Sequence, residues 1–165
     1  MEIMTGSLYF VSDEFFAKIQ DPYLKINYEN TKRPHYFAFR DSITGLYWLV
    51  PCSSKIEKFE RLVQNKREQH KPTDTIKFVR VFDCKTVLLF QDMFPVTAKY
   101  IDGQYIKGGQ PVRIADPKLI QELEKNARKI INLLHRGVRF TPTQPDIIKI
   151  EKVMLEELQG MEEKL

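Results

Sequence analysis

Residues His35-Tyr36-Phe37-Ala38-Phe39-Arg40 and Leu46-Tyr47-Trp48-Leu49-Val50 are two aromatic, β-prone runs separated by Asp41-Ser42-Ile43-Thr44-Gly45. The spacer reads as a hairpin turn, with Gly45 available for positive φ. An antiparallel hairpin closing there constrains the rest of the chain because it sets a register, with positions 33–36 opposite about 51–54. Two clusters of reactive groups then meet at one end of a sheet. Lys32-Arg33-Pro34-His35-Tyr36 enters the outgoing strand, and Pro51-Cys52-Ser53-Ser54-Lys55 leaves the return strand.

Other elements follow from periodicity. Leu8–Val11 reads as a short strand, and Ser12 as the N-cap of a helix bearing Phe15, Phe16 and Ile19 on one face. Ile56, Phe59, Leu62 and Val63 predict an amphipathic helix over about 54–69, with Lys58, Arg61, Lys66 and Arg67 on its wetter side. Strands are expected at 76–82 and 87–90, a buried crossover at 93–96, and a short hairpin about Asp102-Gly103. Asp116 caps and Pro117 opens a long helix that ends at Gly137, and a second helix runs from about Asp146 to Leu158. Helices inserted into and appended to a compact β-structure make one α+β domain over residues 1–165.

Length and charge narrow the function classes. At 165 residues the chain can bury a core without metals or disulfides. Cys52 and Cys84 lack a CxxC spacing, and His35, His70 and His135 form no HExxH or HxH, so no metal or cofactor is expected and the thiols are expected reduced. No apolar run approaches bilayer length and the start lacks a signal-peptide pattern, so a cytoplasmic protein without membrane contact is expected. The formal charge is +4, but the last 25 residues carry six acids against three lysines, which leaves +7 on residues 1–140. A basic body suits a polyanion.

At the feet of the hairpin, a helix beginning near Ser54 offers free N–H groups and a positive dipole end. Ser53 and Ser54 add hydroxyls, Lys32, Arg33 and Lys55 add charge, and His35 adds a group that titrates near neutrality. Together they suit a bound phosphodiester and its pentacoordinate transition state. RNA supplies its own 2′-OH nucleophile, so such a site needs a base, cations and a proton source but no metal. The plainer reading makes Ser-Ser-Lys an N-cap with a solvated lysine and His35 a packing residue. Most of the aromatics are core by alternation, with Tyr36 and Trp48 the candidates to face the cleft and stack on bases.

These residues resemble the RNase toxins of type III toxin–antitoxin systems, the ToxN/AbiQ/CptN family, and most closely its CptN branch. The likeness lies in the opening strand with its Phe15/Phe16 helix, the hairpin from Lys32 to Pro51, the Ser53-Ser54-Lys55 turn and the helical C-terminus. It implies an SH3-like (Kid/MazF-type) antiparallel β-barrel with inserted and C-terminal helices. It also implies a metal-independent endoribonuclease that leaves a 2′,3′-cyclic phosphate on cellular RNA. Such a toxin is held inactive by a structured antitoxin RNA, a pseudoknot repeat that it processes itself, in a cyclic assembly of protein and RNA. The family's hydroxyl pair and lysine fall on Ser53, Ser54 and Lys55, and its other lysine on Lys32 or Arg33. ToxN carries one more residue between the pair and the lysine, and His35 has no counterpart there. Two rival readings fit the same residues: a MazF-like ribonuclease restrained by a protein antitoxin, and a non-catalytic RNA-binding module.

Overall fold

A computed structural model describes residues 2–27 and 30–163. Its centre is the expected hairpin, formed by β2 (Pro34–Arg40) and β3 (Tyr47–Ser53). The turn is held from within. Asp41 Oδ1 accepts from the Ile43 N–H at 2.8 Å, Gly45 N–H donates to Asp41 O at 2.8 Å, and Gly45 sits at φ +79°. Pairing runs Arg40↔Tyr47, Phe39↔Trp48, Phe37↔Leu49, Tyr36↔Val50 and His35↔Pro51, with a bulge at Ala38.

Both faces of this hairpin are covered, which the alternation pattern did not foresee. One face packs Tyr36, Trp48, Val50 and Cys52 against α3 (Pro117–His135), through Leu123, Ala127 and Ile130. The other packs Phe37 and Leu49 against α1 (Asp13–Ile19) and α4 (Ile147–Glu163), through Phe15, Ile150 and Met154. A strand buried on both sides carries apolar residues at every position, so period-two reading cannot say which side chains face solvent.

Around the hairpin lie β1 (Leu8–Val11), β4 (Ile76–Val81), β5 (Cys84–Leu89), β6 (Phe94–Val96) and β7 (Ile101–Gln104). Among the described residues these seven strands form one antiparallel sheet in the order β4-β5-β3-β2-β1-β7, with β6 also on β3. The edge of β3 is divided. Tyr47–Leu49 pair with β6, and Cys52 and Ser53 pair with β5. The β4–β5 hairpin therefore diverges from β6, and β4 is not carried round to meet β7. The expected barrel does not close, and the fold is an open α+β sheet with helices on both faces.

Helix boundaries follow local chemistry. Asp116 accepts from the Lys118 N–H at 3.0 Å and Pro117 opens α3. Helix α2 (Ile56–Glu68) starts two residues later than expected, and α4 runs five residues past Leu158. The small hairpin lies one turn further along than expected, as β8 (Ile106–Lys107) and β9 (Gln110–Pro111), because 101–104 is committed to pairing with β1. Cys52 is buried, Cys84 is exposed, and both are free thiols. No helix among the described residues is long and apolar enough to cross a membrane.

Candidate active site

The register His35↔Pro51 sets Arg33-Pro34 beside Cys52-Ser53, so the two feet do meet. Arg33 joins them: its Nη1 donates to Cys52 O at 2.9 Å. Its own N–H donates to Asn27 Oδ1 at 3.0 Å, and Asn27 Nδ2 donates in turn to Val11 O and Asp13 Oδ1. Against these feet lies a cavity of about 240 Å³ whose wall includes Pro34, Cys52, Ser53, Ser54, Thr86 and Tyr105.

Ser53 closes β3 and is 8% exposed; its Oγ accepts from the Lys55 N–H at 3.2 Å, and its carbonyl accepts from Thr86 Oγ1 at 3.3 Å. Ser54 is exposed in the cavity wall, and Lys55 is exposed at the N-cap of α2. Neither serine caps the helix through its side chain. Among the described residues the Glu57 and Lys58 N–H groups donate to no protein acceptor, so the first turn of α2 keeps its partial positive charge beside the serines. Two hydroxyls in the cavity wall, with the backbone donors and Lys55 at the adjoining helix start, can hold the non-bridging oxygens of a phosphodiester.

Three expectations fail here, each because the hairpin is sandwiched. His35 is 0% exposed, with its ring 5.3 Å from that of Phe94 and 6.3 Å from that of Phe16, on the face away from Tyr36 and Cys52. Burial, reinforced by the Arg33 charge, pushes its imidazole down to about 3, and neither ring nitrogen has a hydrogen-bond partner among the described residues. A neutral core histidine on the far face does not move protons in the cavity. Tyr36 and Trp48 are buried within the first cluster, so neither offers a ring to a base. Burial pushes the Tyr36 phenol up, as it pushes the Cys52 thiol up to about 12.

The basic residues divide. Lys32 is drawn into an ion pair with Asp102 on β7. On α2, Lys58, Arg61 and Arg67 are exposed, with Lys58 Nζ 5.4 Å from the Phe59 ring centre. Lys66 turns inward instead: its Nζ donates to Thr75 Oγ1 at 3.2 Å, and burial lowers its affinity for the proton.

Sequence reading missed the rest of the cavity wall, which includes Phe82, Lys85, Tyr105 and Lys107. They arrive through non-local pairing. β5 joins β3 at Cys52↔Leu88, and the Tyr105 N–H donates to Leu8 O at 2.8 Å. No local pattern near those residues announces either contact. The buried Asp92, in the short 3-10 turn Phe90–Asp92, was likewise unmarked. Burial pushes its carboxyl up to about 6, with Lys25, Gln91 and Arg33 holding it partly down.

No family model and no curated protein matches the sequence. Among solved structures, the fold is similar to that of AbiQ, a lactococcal anti-phage endoribonuclease belonging to the type-III toxin-antitoxin system. The TM-score is 0.63 at 12% identity, covering 94% of this chain and 99% of that one. At that identity the likeness is one of fold, and it spans nearly every element described above.

Proposed function

We propose that this chain is an endoribonuclease toxin of a type III toxin–antitoxin system, of the ToxN/AbiQ/CptN family, acting in the cytoplasm. The observation that carries the reading is the placement of Ser53 and Ser54 in the wall of a cavity at the start of α2, on a chain whose fold follows AbiQ over 94% of its length. The open, coiled sheet is read as an opened SH3-like (Kid/MazF-type) barrel. The scissile phosphate sits against Ser53, Ser54 and the free amides of the first helical turn. Lys55 and Arg33 supply charge from the two feet. The 2′-OH of the substrate attacks the phosphorus and gives its proton to solvent water, the bond to the 5′-oxygen breaks as that oxygen takes a proton from Lys55, and the product carries a 2′,3′-cyclic phosphate without help from a metal ion. With His35 inside the core, Lys55 is the proton-transfer group that remains at the foot. Arg33 serves better than Lys32, which Asp102 holds.

The partner in this reading is a structured antitoxin RNA, a pseudoknot repeat that the toxin processes and that closes with it into a cyclic ribonucleoprotein. Lys58, Arg61 and Arg67 are the surface groups of α2 that meet its phosphates. Binding should then weaken steeply with salt.

The test is incubation of the purified protein with RNA in EDTA, followed by mapping of cyclic-phosphate ends. Ser53→Ala, Ser54→Ala and Lys55→Ala should each cut the rate by about a hundredfold, the usual cost of removing one transition-state donor, with little loss of stability. Full cleavage by the triple variant would remove the assignment. RNA bound but never cut would favour the binding-module reading.

A further inference from the structure

The 240 Å³ cavity beside Ser53 and Ser54 is smaller than the pockets that take whole drug-sized ligands, and it is mostly apolar. Two aromatic residues that share its wall with the serines are fixed by very different means. Tyr105 is half-buried, tethered through its backbone to Leu8 and Val112, with its ring edge-on to Phe10 at 5.4 Å. Phe82 is 49% exposed at the tip of β4–β5, at φ +54°, a conformation where a glycine or asparagine is the undemanding choice. Phe82 also borders a second cavity of about 620 Å³ that contains Arg80, Gln110 and Arg113. It therefore forms a ridge between two depressions. Basic side chains line both cavities, Lys107 and the Glu60-paired Lys85 in the first and Arg80 and Arg113 in the second.

A small apolar slot walled by aromatics, next to a phosphate site and ringed by cations, matches single-stranded RNA. Bases stack on rings regardless of pairing, and phosphates follow the charge. We infer that the cavity is the base-reading subsite of the reaction proposed above: the base next to the scissile phosphate enters between Phe82 and Tyr105, and the strand then crosses Phe82 toward Arg80 and Arg113. The inference rests on the nuclease reading for what it reads, but it concerns which residues choose the sequence rather than which cut it. Phe82 and Tyr105 are specificity-determining, and Thr86 is a polar side chain in the same wall.

The experiment has two arms. In the first, wild-type protein and the Phe82→Ala, Tyr105→Ala and Arg113→Ala variants act on a random-sequence RNA pool, and cyclic-phosphate ends are sequenced. In the second, a pool of short RNAs carrying 2-aminopurine and a 2′-O-methyl group on every ribose, which blocks cleavage, is titrated onto the same proteins and onto protein alkylated at the exposed Cys84, which also lines the cavity. Phe82→Ala and Tyr105→Ala should lose the wild-type preference at one position beside the cut, and should bind the fluorescent pool about tenfold more weakly, within the range of one stacked base. Alkylation of Cys84 should suppress the fluorescence quench. Arg113→Ala should weaken binding without changing the preferred base. Cleavage with an unchanged preference in both aromatic variants overturns the inference and leaves the nuclease reading intact. Quenching that needs Phe82 and Tyr105, in a protein that cuts nothing, sinks the nuclease reading and keeps the subsite. Neither cleavage nor quenching rejects both.

Discussion

The hairpin β2–β3 reverses through Asp41–Gly45, with a glycine at the positive-φ position and a buried residue at almost every step of its strands. The hairpin β4–β5 reverses over Phe82-Asp83, with a phenylalanine at φ +54° and an exposed tip bearing Phe82, Cys84 and Lys85. In the first, the turn residues suit their backbone. In the second, the turn residue opposes its own backbone, and the exposed ring lines a cavity. Strain of this kind is kept where the surroundings impose it, and it collects at functional sites. The first hairpin positions the serines, and the second lines the same cavity.

The widest separation between the two should appear on truncation. Trp48→Ala, in the sandwiched hairpin, should cost about 3–5 kcal/mol, the usual loss for a buried tryptophan. Phe82→Ala, half in water, should cost less than about 1 kcal/mol. Urea unfolding of both would measure the gap. Equal losses would mean that the β4–β5 tip belongs to the core and that the two hairpins do not differ in kind.

The first hairpin was also the legible one. Its turn, register and converging feet follow from residues 32–55 because strand period, glycine and proline are local signals. Its burial on both faces was not legible, and that is why Tyr36, Trp48 and His35 were misplaced: α1, α3 and α4 come from elsewhere in the chain to cover it. The rest of the cavity wall depends on β5 finding β3 and on Tyr105 finding Leu8. The split edge of β3, which keeps the sheet open, is equally a tertiary choice.

Protonation offers a second contrast, between the hairpin face and the turn after β5. The fold lowers the His35 imidazole from 6.5 to about 3, so the unfolded chain takes up a proton that the native state refuses. Stability from this residue is intact above pH 6.5 and falls as the pH drops toward 3. The fold raises the Asp92 carboxyl from 3.8 to about 6, so the native state keeps a proton the unfolded chain releases, and stability falls as the pH rises from 3.8 through 6. His35→Leu should therefore gain on wild type increasingly below pH 6, and Asp92→Asn increasingly above pH 4 up to about 6. Parallel stability profiles between pH 4 and 8 would show that neither group is buried in solution. RNA cleavage by His35→Leu should persist, since its ring lies on the far face.

The two turns should next differ in sign. Gly45→Ala places a Cβ at φ +79° and should destabilise by about 1–2 kcal/mol. Phe82→Asn relieves the same kind of backbone demand, since asparagine visits that region readily, and should be neutral or stabilising by about 1 kcal/mol. A stabilised but less selective Phe82→Asn protein would tie the strain to function. Destabilisation in both would place Phe82 among ordinary turn residues.

The smallest expected effect concerns Lys32 against Lys55, the two lysines at the feet. Lys32 pairs with Asp102 with both side chains about 40% exposed, so Lys32→Ala should change stability by no more than about 1 kcal/mol. Its effect on cleavage is the sharper measurement. If the pair persists when RNA binds, Lys32→Ala loses little activity, and Asp102→Ala raises it by releasing a cation toward the phosphates. If Lys32→Ala is as inactive as Lys55→Ala, the lysine leaves Asp102 for the substrate, and both feet of the hairpin contribute a lysine to the reaction. Arg33 separates the cases further: its Nη1 is bonded to the Cys52 carbonyl, so Arg33→Ala loosens the junction of the feet as well as removing charge. It should depress cleavage and stability together, whereas Lys32→Ala can depress only the first.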